Sequence, residues 1–212
     1  MFWATFGTAV RVAFRVRVEG EALPAGPCVL VANHTSYLDP VVLGAVIRRR
    51  VAFLTNASIC SKPTLGWFLR WTHSIPVHAR GRNRDAMRRA REVLAKGGVL
   101  GVFPEGGISR DGGLLLGNPG AVALALAGGV PIVPVGLLGA SAALPPWSAL
   151  PRLRQVVVRV GAPLPTLGAD VSEEGRRARL RVVTRQVMDA IAELTDQVSR
   201  ERAVESSGQT GR

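Results

Sequence analysis

Three short runs of uninterrupted apolar residues set the limits on this chain, CVLVA at Cys28–Ala32, VLGVF at residues 99–103 and IVPV at residues 132–135, and VVVRV at residues 156–160 is a fourth candidate. Such a run, bounded by turn formers, is the pattern of a strand buried on both faces, whereas a strand with one wet face alternates. Between the runs the pattern turns helical. Residues 84–96 place Ala86, Met87, Ala90, Val93 and Leu94 on one face, and Gly97 follows where a helix end wants glycine. Residues 119–127 predict a second helix of small residues, stopped by Gly128 and Gly129. Strands alternating with helices predict an α/β fold with a mostly parallel central sheet flanked by helices, and functional loops at the carboxyl ends of the strands.

With 212 residues, 47% of them hydrophobic, the chain can bury one sizeable core, so a single domain is expected. The net charge of +12 favours an anionic partner: a phospholipid surface, a nucleic acid or a phosphate-bearing donor. Cys28 and Cys60 form no CxxC pair, which argues against a zinc site or a disulfide framework and for reduced thiols.

Residues 1–18 mix Phe2, Trp3, Phe6, Val10 and Phe14 with Arg11, Arg15 and Arg17 and carry no acid. The segment is too short and too charged to span a bilayer, and its charges follow the apolar stretch instead of preceding it as in a signal peptide. Two readings stay open: an amphipathic segment lying in a membrane interface, or a first helix packed on the core. The same pair of readings applies to residues 63–71 (PTLGWFLRW). Residues 173–202 space Leu180, Val183, Val187, Ile191, Leu194 and Val198 as one long amphipathic helix, and residues 203–212 are expected to be disordered.

Two strands run directly into polar loops. After Ala32 comes Asn33-His34-Thr35-Ser36-Tyr37-Leu38-Asp39-Pro40, and after Phe103 comes Pro104-Glu105-Gly106-Gly107. His34 and Asp39 are too far apart for one helical face, but in a strand-to-helix turn the carboxylate can hold one ring nitrogen and leave the other as a general base. Asp39 is equally suited to cap a helix starting at Pro40. No Gly-x-Ser-x-Gly elbow is present, so a serine hydrolase is not indicated.

These residues resemble the glycerolipid acyltransferases typified by 1-acyl-glycerol-3-phosphate acyltransferase. Asn33-His34 and Asp39 are similar to that family's Asn-His-x4-Asp motif, and Phe103-Pro104-Glu105-Gly106 to its Phe-Pro-Glu-Gly motif. Ile75-Pro76-Val77 with Arg80 or Arg82 looks like the second motif, and residues 130–135 like the hydrophobic fourth. The resemblance implies an acyltransferase domain over residues 19–202, with His34 and Asp39 as the catalytic pair. Substrate binding then falls to Glu105, Gly106, Arg80, Arg82, Ser109 and Arg110.

It further implies direct transfer of a fatty acyl group from acyl-CoA or acyl carrier protein to a lysophospholipid hydroxyl, lysophosphatidic acid before all. Other lysolipids, a lipid amino acid or a glycolipid are alternative acceptors, and a non-catalytic lipid-binding module is the alternative to an enzyme. No cofactor and no metal are implied. The expected location is the cytoplasmic face of an anionic membrane, peripheral or monotopic, and no nucleic acid is expected because no helix-turn-helix or RNA-reading strand is present. The chain departs from the family where Thr-Arg-Ser usually follows: Gly107-Ile108-Ser109 lacks the guanidinium. Gly117-Asn118-Pro119-Gly120 likewise stands where a lysine is common. Both changes bear on the acceptor.

Overall fold

In a computed structural model that describes residues 2–60, 66, 69, 70, 72–78, 83–109, 113–148, 150–166 and 172–197, elements of both kinds alternate along the chain. They are α1 (Phe2–Ala13), β1 (Arg17–Gly20), β2 (Cys28–Ala32), α2 (Asp39–Val46), β3 (Val51–Asn56), α3 (Ala57–Cys60), β4 (Ile75–Val77), α4 (Arg84–Ala95), β5 (Val99–Val102), α5 (Gly120–Gly128), β6 (Ile132–Leu138), α6 (Ala140–Ala143), β7 (Val157–Val160) and α7 (Glu173–Leu194). The strands form one sheet in the order β1-β7-β6-β2-β5-β3-β4. Every pairing is parallel except β6 with β7, so the predicted mostly parallel α/β sheet is what forms.

The apolar runs are apolar because both their faces are covered. Along β2, Cys28 and Leu30 turn to one core cluster with Val10, Phe14, Val42, Phe53 and Val135. Val29 and Val31 turn to the other, with Ala90, Leu94, Leu100, Val122 and Ile191. Helices α1 and α2 thus cover one face and α4, α5 and α7 the other, and each fully buried Leu or Ile contributes about 1.5–3 kcal/mol. β1 is the opposite case: all four of its residues are exposed, and it is held by its ladder to β7.

Of the two readings of the N-terminal segment, core packing applies to Val10 and Phe14, which are buried in the core, and β1 runs through Val18 to Gly20. The C-terminal helix ends at Leu194, well before Arg202, because Asp196 adopts the left-handed conformation (φ 55°). Its turn closes with Gln197 N–H donating to the Ala192 carbonyl, and Arg159 of β7 donates to both the Leu194 carbonyl and the Asp196 carboxylate. In the segment 63–71, Leu69 is core; residues 61–65, 67, 68 and 71 lie outside the described residues. The tail over 203–212 lies outside them too.

Arg49 shows that part of the positive charge works internally. Its guanidinium donates to the carbonyls of Pro24, Gly26 and Gly97, tying together the loops that lead into β2 and β5. No described helix is long and apolar enough to cross a membrane.

Candidate active site

β2 and β5 are neighbours in register, Val31 opposite Val102, so the two polar loops that follow them emerge side by side at the carboxyl edge of the sheet. The first loop folds back on the start of α2. There the buried Asp39 carboxylate accepts at Oδ2 from the Thr35 N–H, the Ser36 N–H and the His34 ring Nδ1, each at 2.8 Å. Asp39 is therefore the first residue of α2 and the hub of the turn; the expected cap is corrected, because Leu38 stands at the N-cap and the Asp39 carboxylate is turned back to the loop instead of to the helix amides. With Nδ1 donating to a carboxylate, His34 keeps Nε2 as an acceptor, and no described residue hydrogen-bonds to it.

The imidazole is seated from below by a stack of rings. His34 lies on Phe103 with centroids 4.1 Å apart, and Phe103 lies parallel to Phe53 at 6.0 Å. Phe53 in turn rests over Gly101, where a Cβ would come within 2.5 Å of its ring. A glycine inside a buried strand marks such a close approach.

The second loop grips the backbone of the first. Glu105 accepts the His34 N–H at Oε1 (2.8 Å) and the Leu115 N–H at Oε2 (3.0 Å), while the Ser109 N–H donates to the His34 carbonyl (2.8 Å). Burial pushes the Glu105 carboxyl above its ordinary pKa, against the lowering effect of those two N–H donors. Ser109 is only 2% exposed and is not on the wall of the cavity beside His34. Glu105 directs both carboxylate oxygens to main-chain donors, while Gly106 lines the cavity.

Asn33 has a part that no sequence pattern assigned to it. Its side-chain amide donates to the Leu137 carbonyl (2.9 Å) and accepts the Leu137 N–H (2.7 Å), so it extends the β2–β6 pairing by one rung after the strand has ended. Ser36 adds a further tie, donating from Oγ to the Leu144 carbonyl.

His34 opens on a cavity of about 890 Å³ whose walls are largely apolar: Leu54, Ile59, Leu69, Val77, Met87, Phe103, Ile108 and Leu124 among others. Ile108 thus occupies cavity wall at the place where the family commonly has its arginine. His78, set aside on the sequence for want of an acidic partner, also lines this cavity. Arg80, Arg82 and Arg110 lie outside the described residues, although the chain from 79 to 82 joins His78 to Asn83, both on the cavity wall. Among the described residues no cluster of three or more His, Cys, Asp or Glu is arranged to hold a metal.

A family model described as Acyltransferase matches residues 15–138, from the start of β1 to the end of β6 and including both loops. A chloroplastic 1-acyl-sn-glycerol-3-phosphate acyltransferase of Brassica napus is 31% identical over 151 residues, 69% of this chain and 43% of that protein. The chain belongs to the glycerolipid acyltransferase family. Another relative, the lyso-ornithine lipid O-acyltransferase of Pseudomonas aeruginosa, is 30% identical over 197 residues, 85% of this chain and 75% of that protein. The crystal structure of a 1-acyl-sn-glycerophosphate acyltransferase from Thermotoga maritima superposes with a TM-score of 0.62 at 26% identity, over 89% of this chain and 78% of that one. The chain spans less than half the length of the Brassica relative.

Proposed function

We propose that the chain is an O-acyltransferase that moves a fatty acyl group from the thioester of acyl-CoA or acyl carrier protein to the free hydroxyl of a lysolipid at an anionic membrane surface. The observation that carries this reading is the Nδ1-to-Asp39 bond at the edge of a mainly apolar cavity of about 890 Å³, a size within the ~300–1,000 Å³ usual for small-molecule sites. His34 Nε2 takes the acceptor's hydroxyl proton as that oxygen attacks the thioester carbonyl. The C–S bond then breaks, and the leaving thiolate receives the proton from the imidazolium that Asp39 stabilises. The apolar walls suit the acyl chain. Glu105, Ser109 and Asn33 act by fixing the main chain that carries His34, and Arg80, Arg82 and Arg110 supply cations for the acceptor or donor phosphates.

Lysophosphatidic acid is the first acceptor to consider, in keeping with the Brassica and Thermotoga relatives. A second reading, a lysolipid whose headgroup is an amino acid, is favoured by Ile108 on the cavity wall and by the broad match to the lyso-ornithine lipid enzyme. The test is an acceptor panel incubated with labelled acyl-CoA or acyl carrier protein and analysed by lipid mass spectrometry, with His34→Ala as control. Label in diacyl product with wild type and none with His34→Ala supports the reading. Equal product from the two sinks it.

A further inference from the structure

We infer that the loop between α6 and β7 is a docking surface for an anionic phospholipid bilayer, placed so that the membrane meets the mouth of the His34 cavity. Three of the chain's large exposed apolar side chains fall within it: Trp147 and Leu150 at 77% exposure and Leu153 at 66%. Scattered single apolar residues on a surface need no explanation, but three within seven positions, one of them on the wall of a lipid-sized cavity, form a patch.

The loop is held in place. The Arg152 N–H donates to the Ala143 carbonyl, Ser148 Oγ donates to the Leu150 carbonyl, and Arg15 at the end of α1 donates to the Leu153 carbonyl at 3.2 Å. That last bond brings a second exposed apolar side chain into the neighbourhood, because the Arg15 N–H closes on the carbonyl of Val12, itself 71% exposed. Antiparallel β7 starts at the sheet edge where β6 ends, so the whole patch lies at the edge that carries His34.

Charge decides what covers it. Arg15, Arg152 and Arg154 flank the apolar side chains, and no Asp or Glu occurs between residues 112 and 169. A second copy of the same patch would set cations against cations, whereas anionic headgroups satisfy the arginines while their acyl region takes Trp147 and the leucines. Trp at the headgroup level is the usual interfacial choice. The surface rests on the proposed transfer reaction in one respect: it explains how a bilayer acceptor reaches a buried-edge histidine.

Sedimentation of the full chain with vesicles of equimolar phosphatidylcholine and phosphatidylglycerol tests it. Leu150→Glu with Leu153→Glu, two side chains outside the cavity, is expected to weaken binding at least about tenfold and to leave transfer to a short-chain, water-soluble lysolipid unchanged. Arg152→Gln with Arg154→Gln is expected to weaken binding to the anionic vesicles and not to pure phosphatidylcholine. Vesicle binding within about twofold of wild type in both pairs overturns the docking surface, as does a loss of self-association in the leucine pair with vesicle binding intact. If wild type binds through this loop yet acylates no lysolipid, the docking surface stands and the transferase reading falls.

Discussion

The side chain of Asn33 takes up both main-chain groups of Leu137, one as donor at 2.9 Å and one as acceptor at 2.7 Å, in a site only 1% exposed. Asn33→Ala leaves a buried N–H and a buried carbonyl unpaired, so it should lower unfolding free energy by about 2 kcal/mol or more, measured by urea denaturation. Because Asn33 immediately precedes His34, the proposed general base, turnover should fall as well. Stability and turnover both unchanged would remove Asn33 from the site.

Truncation of His34 removes a side chain that is 16% exposed and packs mainly on Phe103. His34→Ala should therefore melt close to wild type and have no detectable transfer. Asp39→Asn keeps an oxygen for the Thr35 and Ser36 amides but loses the charge that steadies the imidazolium. Turnover should drop by about 10²–10⁴-fold with acceptor KM little changed; a normal turnover number would reduce Asp39 to the first residue of α2.

Glu105 gives the protein a pH dependence of known sign. Its carboxyl is raised by burial above the ordinary value of 4.5, so in that window the folded state holds a proton that the unfolded state has released. Stability contributed by this group is present below the ordinary pKa and is lost as pH rises through the raised folded value. Glu105→Gln cannot titrate, and its amide also sets an N–H against one of the two backbone donors. Denaturation curves at a series of pH values should show the wild type losing ground relative to Glu105→Gln as pH climbs from about 4.5; the opposite slope would contradict the assignment.

Two rings, Phe53 and Phe103, separate Gly101 from the His34 imidazole, yet in mechanics it is one step away. Gly101→Ala pushes a methyl into Phe53, which moves Phe103 and with it the seat of His34. The cost should be about 1–3 kcal/mol, read by thermal melting, with a fall in turnover larger than any change in donor KM. A variant as stable and active as wild type would show that the ring stack yields freely.

Much of this was legible in the residues. Continuous burial writes itself as continuous apolarity, so β2, β5 and β6 stood out, and two of them pointed at the polar loops. β7 was legible from its valines although it is buried only on alternate residues, and β1 was invisible because all of its residues are exposed. Within the site, His34 and Asp39 were close enough in sequence for spacing to suggest their bond. The Asn33–Leu137 and Glu105–Leu115 ties were not, since they depend on which strand lies beside which. Glu105 was read as holding the acceptor because the family resemblance implies it; its two oxygens accept main-chain N–H groups that a part-buried loop must satisfy.

Because β7 runs against β6, the chain leaves the sheet and returns to it at one rim, and the stretch between them interrupts no ladder. Between Leu144 and Val156, changes of length, greasiness and charge should therefore leave the strands that aim the His34 imidazole in register. A variant with this stretch shortened or recharged would be expected to meet a different bilayer with the same His34–Asp39 turn.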